Sequence, residues 1–220
     1  MARNGRPSYD HVPMVVIKRL PRYYRYLGEL VEKKVERISS QKLARMMGIS
    51  ASQLRQDLNH FGEFGQQGYG YRVEDLYNEI GRIIGLEYQY NMILVGAGNL
   101  GQALANYPNF AKRGFCLKAI FDINPRLIGM KINDVEIRDI DELPDFVAKN
   151  NISIGIITVP KDAAQGVAEM LVDAGVKAIW NFAPIDIRVP DHIILENEHL
   201  ADRLMVLAFR LQDKLAYEPS

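Results

Sequence analysis

The 220-residue chain has one cysteine, Cys116, so it can close no internal disulfide and offers no cysteine cluster to a zinc ion. Its four histidines, His11, His60, His192 and His199, show no metal-ligand spacing, and no resident metal is expected. Tryptophan is as scarce: Trp180 stands alone in an apolar stretch and reads as core, and Cys116 likewise reads as a small buried hydrophobe. No run of about 18 uncharged apolar residues exists to cross a bilayer. The opening stretch MARNGRPSYDHVP lacks the apolar segment of a secretory signal. These absences argue against a disulfide scaffold, a zinc centre and a helical membrane span, and point to a soluble protein of a reducing cytoplasm.

Formal net charge is zero as well, but the balance is not local. Residues 1–85 carry 14 Lys and Arg against 9 Asp and Glu, while the remainder carries 13 against 18. A basic half joined to an acidic half suggests that the first meets a polyanion. The apolar fraction of 48% suffices for packed cores, and the length suits two small domains. The expected organisation is 1–85, then 86–196, then a closing segment 197–220.

Residues 14–34 carry Leu20, Tyr23, Tyr24, Leu27, Leu30 and Val31 at helical spacing, with Pro21 either starting a second helix or kinking a single one. The stretch from Ser39 to Gly62 reads as helix, turn, helix. A serine caps the first helix, Leu43, Ala44 and Met47 point inward, Gly48 ends it, and Ser50 with Gln53 forms a capping box for the next. That second helix sets Leu54, Leu58 and Phe61 on one face. Opposite stand Gln53, Arg55, Gln56, Asn59 and His60, side chains that reach base edges and phosphates when a helix lies in the major groove. Residues 62–73 alternate glycines with aromatics, as a tight β-ribbon does, so the whole reads as a winged helix. Residues 74–86 form one more helix.

The second half alternates strands at 91–95, 117–122, 152–159, 176–182 and 193–195 with helices at 99–105, 141–150 and 163–174. Such alternation means a doubly wound parallel sheet, an α/β fold of Rossmann type. Between the first strand and helix lies VGAGNLG, a Gly-x-Gly-x-x-Gly: Gly96 permits the tight turn, Gly98 lets the backbone approach a pyrophosphate, and Gly101 lets the helix pack closely. Asp122 closes the second strand 21 residues after Gly101, where it can accept hydrogen bonds from the adenosine ribose and repel a 2′-phosphate. The motif therefore favours NAD(H) over NADP(H), with Arg126 nearby as the one feature pointing the other way.

A dehydrogenase needs a second lobe and a proton-transfer group aimed at the nicotinamide, and neither is visible. Two functions stand: a ligand-gated DNA-binding regulator, not an enzyme, and a small NAD(P)-dependent oxidoreductase fused to a helix-turn-helix. The last helix places Leu200, Leu204, Leu207, Ala208, Leu211 and Leu215 in one stripe, with Met205, Val206 and Phe209 on other sides. Such a helix wants more than one surface, either a second copy of the chain or its own domain's core.

The chain resembles the Rex family of redox-sensing transcriptional repressors over nearly its whole length. The resemblance rests on Arg19-Leu20 with Tyr23-Tyr24-Arg25, on Ser52-Gln53-Leu54-Arg55-Gln56-Asp57-Leu58, on Phe61-Gly62-Glu63-Phe64-Gly65 with Gly68-Tyr69-Gly70-Tyr71, and on Val95 to Gly101. Thr158-Val159-Pro160 and Asn181-Phe182-Ala183-Pro184 complete it. It implies a homodimer with an N-terminal winged helix, a Rossmann domain and a domain-swapped C-terminal helix, bound to operator DNA when NADH is scarce and released when NADH binds. The implied DNA-facing set is Arg19 on the phosphates, Ser50, Ser52, Gln53, Arg55, Gln56, Asn59 and His60 on the recognition helix, and Gln66, Gln67 and Tyr69 on the wing. The implied NADH and NAD set is Gly96, Ala97, Gly98, Asn99, Leu100, Gly101 and Asp122 for the adenosine half, with Tyr107, Thr158, Val159, Pro160, Asn181, Phe182, Ala183 and Pro184 toward the nicotinamide.

The chain departs from the family pattern in three places, four residues in all. Gln66-Gln67 stands where a basic pair is expected, and Gln56 where a basic residue should accompany Arg55. His199 stands where an aspartate is expected to pair with the arginine corresponding to Arg25, so the implied switch set is Arg25, Tyr107 and His199.

Overall fold

Pro21 settles the first segment by starting a helix rather than kinking one. In the computed structural model, which describes residues 9, 11–62, 64–65 and 69–216, α1 (Met14–Ile17) stops short of α2 (Leu20–Glu32), and Pro21 lies in the first turn of α2, where its missing N–H has no partner to lose. The chain divides into two compact units, Met1–Tyr88 and Gln89–Ser220.

The first unit continues with β1 (Arg37–Ile38), α3 (Ser40–Met47), α4 (Ala51–Asn59), β2 (Tyr71–Arg72) and α5 (Val73–Ile83). The expected caps form: Ser39 Oγ accepts from the Lys42 N–H at 3.2 Å, Ser50 Oγ accepts from the Gln53 N–H at 3.0 Å, and left-handed Gly48 ends α3. The reciprocal half of the capping box does not form, because the Gln53 side chain turns forward to Asp57 instead of back to Ser50. Leu20, Tyr23, Leu27 and Leu30 of α2 share one core with Leu43, Met47, Leu54, Leu58, Leu76 and Ile80. The ribbon strand β2 pairs antiparallel with β1, matching Arg37 to Arg72 and Ile38 to Tyr71. Gln66 and Gln67 lie outside the described residues.

The second unit holds β3 (Tyr90–Val95), α6 (Asn99–Ala105), β4 (Phe115–Asp122), β5 (Lys131–Ile132), β6 (Val135–Asp139), α7 (Leu143–Asn150), β7 (Ile154–Ile157), α8 (Lys161–Ala174), β8 (Ala178–Asn181), β9 (Ile194–Asn197) and α9 (Leu200–Ala216). Seven strands form one sheet in the order β5-β6-β4-β3-β7-β8-β9, parallel throughout except for β5. Successive strands run outward on one side from β3, then resume on the other side with β7, so the switch point lies between the carboxyl ends of β3 and β7. Alternate residues of β3 feed two layers: Ile93 and Val95 pack with Leu143, Ala164 and Ala168, while Met92 and Leu94 pack with Ala105 and Ile137.

Two features go beyond the sequence expectations. One is the β5–β6 hairpin, whose Asn133-Asp134 turn holds φ of 50° and 66°, the left-handed values that a tight two-residue hairpin turn requires at both positions, without the glycine that usually marks it. Helix α9 buries none of its residues, and Leu204 (66%), Phe209 (73%) and Leu211 (53%) are largely exposed. The alternative that it sinks into its own domain's core is thereby overturned.

Candidate functional site

On α4, Leu54 and Leu58 face inward while Ser52, Arg55, Gln56, Asn59 and His60 are exposed, as the helical period requires. Phe61 is half-buried, and its ring meets Tyr9 edge-on with centroids 5.3 Å apart. Arg55 Nη1 donates to Ser40 Oγ at 3.0 Å, which ties the exposed face of α4 to the first turn of α3. Near the ribbon, the Tyr69 ring is 70% exposed, with the Arg37 guanidinium 6.0 Å from its centroid. Arg37 adds a cation to the wing that spacing alone did not identify, because β1 lies upstream of the helix-turn-helix.

The least expected residue is Asp57, an aspartate 1% exposed on the inner face of α4. Its Oδ2 accepts from Arg19 Nε at 2.6 Å and from the Tyr23 hydroxyl, and its Oδ1 accepts from Arg19 Nη2 at 2.7 Å and Gln53 Nε2 at 2.9 Å. Burial pushes the Asp57 carboxyl upward, but hydrogen bonds from Arg19, Tyr23 and Gln53 together outweigh it and hold it below the ordinary carboxylate range. Tyr23 moves the opposite way, its phenol raised by burial and by the bond to the carboxylate. Arg19, expected on phosphates, thus spends two nitrogens on a partner inside its own unit: a buried carboxylate demands a fork of donors, and Arg19 supplies it.

In the second unit a cleft of about 580 Å³ opens at the switch point. Gly96, Gly98, Leu100, Asp122, Thr158, Val159, Pro160, Phe182 and Pro184, all expected, line it with Val95, Ile123, Ile140, Ala163 and Val167, which were not singled out. Asp122 is the only charged residue in this lining. Its Oδ2 accepts from the Ala97 N–H at 2.6 Å and its Oδ1 from the Asn124 N–H at 2.8 Å, so one carboxylate joins the glycine loop to the loop after β4. Thr158 Oγ1 lies 2.7 Å from the Gly96 carbonyl and 3.0 Å from that of Val95, bracing the glycine loop from β7.

The glycines divide their labour as the motif implies. Gly96 has φ +105°, and a Cβ there would meet the Thr158 carbonyl at 2.8 Å; a Cβ on Gly101 would fall 1.9 Å from the Gly96 oxygen. A Cβ on Gly98 would meet nothing within 4 Å, which leaves open the space a pyrophosphate needs at the start of α6.

Several expected residues stand elsewhere. Ala97 and Gly101 are buried behind the lining, and Asn99 is exposed at the start of α6. Tyr107 is exposed and does not line the cleft; its ring packs edge-on against Phe110 and its hydroxyl takes a bond from Asn109 Nδ2 at 3.2 Å. Asn181 is fully buried, with Nδ2 donating to the Ile185 carbonyl at 2.7 Å and to Asn197 Oδ1 at 2.8 Å, while its Oδ1 accepts from the Ala183 N–H at 3.0 Å. It is thus a strut that shapes the turn carrying Phe182 and Pro184, and Ala183 is core. Trp180, expected in the core, is only half-buried at the core's edge, and packs its ring 4.5 Å from that of Phe182. Arg25 is exposed beside Tyr26, and His199 Nε2 pairs with Asp186 Oδ1 at 2.8 Å. That bond raises the His199 pKa.

Comparison with known proteins covers both units. A family model described as "Putative DNA-binding protein N-terminus" matches residues 11–59, and one described as "CoA binding domain" matches residues 87–185. The Redox-sensing transcriptional repressor Rex of Thermoanaerobacter sp. (strain X514) is 61% identical over 203 residues, covering 92% of this chain and 91% of that protein. The crystal structure of RSP in complex with β-NAD⁺ and operator DNA matches at a TM-score of 0.88 and 60% identity over 94% of this chain and 95% of the other. RSP in complex with β-NADH matches at 0.86 and 57% identity over 94% and 97%.

Proposed function

The chain belongs to the Rex family of redox-sensing transcriptional repressors, and from that premise we propose that it holds operator DNA through α4 and releases it when NADH enters the cleft of the second unit. The observation that carries this reading is one chain with two sites of opposite chemistry, an exposed helix face rich in hydrogen-bonding side chains and a glycine-loop cleft lined by one carboxylate among apolar groups. The cradle fits a dinucleotide: Gly98 leaves room for a pyrophosphate, and Asp122, with lone pairs beyond its two backbone donors, accepts from ribose hydroxyls.

The dinucleotide, when bound, supplies the redox signal, a neutral ring in NADH and a cationic one in NAD⁺. Val159, Pro160, Ala163, Phe182 and Pro184 offer that ring no counter-charge, so they favour the neutral form. A second copy of the chain covers the exposed apolar surface of α9, giving a two-fold dimer whose winged helices match two half-sites. Release then follows if NADH prefers the DNA-incompetent arrangement. A preference of about 100-fold at each of two sites amounts to about 5.5 kcal/mol, enough to move a population from 1:99 to 99:1.

The protein acts as a regulator rather than an enzyme, in keeping with relatives named as transcriptional repressors. Among the described residues no helix is long and apolar enough to cross a membrane. The test is NADH affinity with and without saturating operator. Linkage requires operator to weaken NADH binding by the factor by which NADH weakens operator binding. Equal affinities would remove NADH as effector, and steady loss of 340 nm absorbance with a panel of carbonyl compounds would favour an oxidoreductase.

A further inference from the structure

Gln53 lies in the first turn of α4, the part of a recognition helix that meets base edges. Its side chain is not free to turn. Nε2 donates to Asp57 Oδ1 at 2.9 Å, and Asp57 already receives both Arg19 nitrogens and the Tyr23 hydroxyl while only 1% exposed. A carboxylate paired with arginine accepts and cannot donate, so the nitrogen and not the oxygen of the amide must face it. Reversing the amide would set Oε1 against Oδ1, two acceptors in contact. The orientation of a glutamine, ordinarily ambiguous, is here dictated by a buried charge.

The consequence is a fixed reading head. One Nε2 hydrogen serves Asp57; when that is the hydrogen anti to Oε1, Oε1 and the second Nε2 hydrogen lie side by side for a base. An acceptor next to a donor is complementary to the major-groove edge of adenine, whose N6 amino group donates and whose N7 accepts. Guanine presents acceptors at both N7 and O6, and thymine presents an acceptor at O4, so each would face Oε1 with a like group. Cytosine satisfies the acceptor alone. We propose that Gln53 is a specificity-determining residue that selects one adenine in each operator half-site, and that Asp57 is the positioning residue that makes it do so. This rests on the reading of α4 as the recognition helix.

The experiment uses the full-length chain and an operator duplex selected with it from a random library. At one position per half-site the wild type selects adenine, and replacing that base by purine, which lacks the amino group, or by 7-deazaadenine, which lacks N7, weakens binding about tenfold. The Gln53→Ala variant leaves Asp57 its three other donors and so keeps the fold, checked by circular dichroism. It should bind all three duplexes equally while keeping wild-type preferences at every other position. Arg55→Ala serves as the control for the recognition helix. If Gln53→Ala retains the adenine preference while Arg55→Ala loses operator binding, the Gln53 assignment is overturned and the recognition helix stands. If neither variant alters DNA affinity, α4 is not the reading helix and both fall.

Discussion

In the first unit a side chain orients other side chains, with buried Asp57 gathering Arg19, Tyr23 and Gln53, whereas in the second unit side chains orient backbone, with Asp122 on the Ala97 N–H and Thr158 against two carbonyls. The first arrangement depends on a charge and fails when the charge or its partner is removed. The second depends on the close approach of main-chain atoms and fails when a Cβ is added. Each site is therefore vulnerable to a change the other tolerates.

The sharpest way to break the contrast is Asp57→Ala, which strands Arg19 beside an apolar core. Removing one partner of a buried pair costs about 3–5 kcal/mol, and partial exposure of Arg19 places this case near about 3. Chemical denaturation followed by amide exchange in α4 should show that loss in the first unit, with the exchange of β3 unchanged. The wild type should show the same weakness in acid. A carboxyl held below its unfolded value contributes stability fully above about pH 4 and loses it as pH falls through the folded value, so α4 should open in acid and Asp57→Ala should flatten that dependence.

Next in size is Gly101→Ala. With its Cβ 1.9 Å from the Gly96 oxygen, the loop must shift, at about 2–3 kcal/mol for an overpacked site, and NADH affinity measured by titration should fall roughly 30- to 150-fold. Operator affinity without nucleotide should not change. Asp122→Ala is milder, about 1–3 kcal/mol in NADH binding, because ribose hydrogen bonds to a charged acceptor are lost along with the tether to Ala97. Unchanged affinity would take Asp122 out of the site.

The smallest effect concerns the exposed pair of His199 and Asp186. Hydrogen bonding to Asp186 raises the His199 pKa, so the pairing is complete in mild acid and fades as pH rises through the shifted value. An NMR titration should find His199 above the ordinary histidine range, and Asp186→Asn should return it toward that range.

Much of this architecture was legible because its signals are local. The serine caps, Gly48, the helix 99–105 and Asp122 at a strand end each depend on a few neighbouring residues. What stayed hidden depends on contacts distant in sequence. Nothing in RLPRYYR announces that Arg19 will meet Asp57, and strands of two residues such as β1 and β2 carry no periodicity to read. Asn181 shows the same limit: an asparagine in a conspicuous motif looks like a ligand group, yet both its amide hydrogens go to Ile185 and Asn197 and its oxygen accepts from the Ala183 N–H.

The tether from Asp122 to Ala97 has a consequence for what kind of meter this molecule is. On the proposed reading the carboxylate and the glycine loop grip the adenosine half, which is chemically the same in NADH and NAD⁺, so the two forms contend for one place with much of their affinity in common. A site whose total pool keeps it filled cannot respond to how much nucleotide is present. It responds to which of the two competitors holds the seat, and its output therefore follows their proportion, with the set point moved by whatever the apolar far wall at Phe182 and Pro184 adds in favour of one. Doubling both forms together should leave operator occupancy where it was.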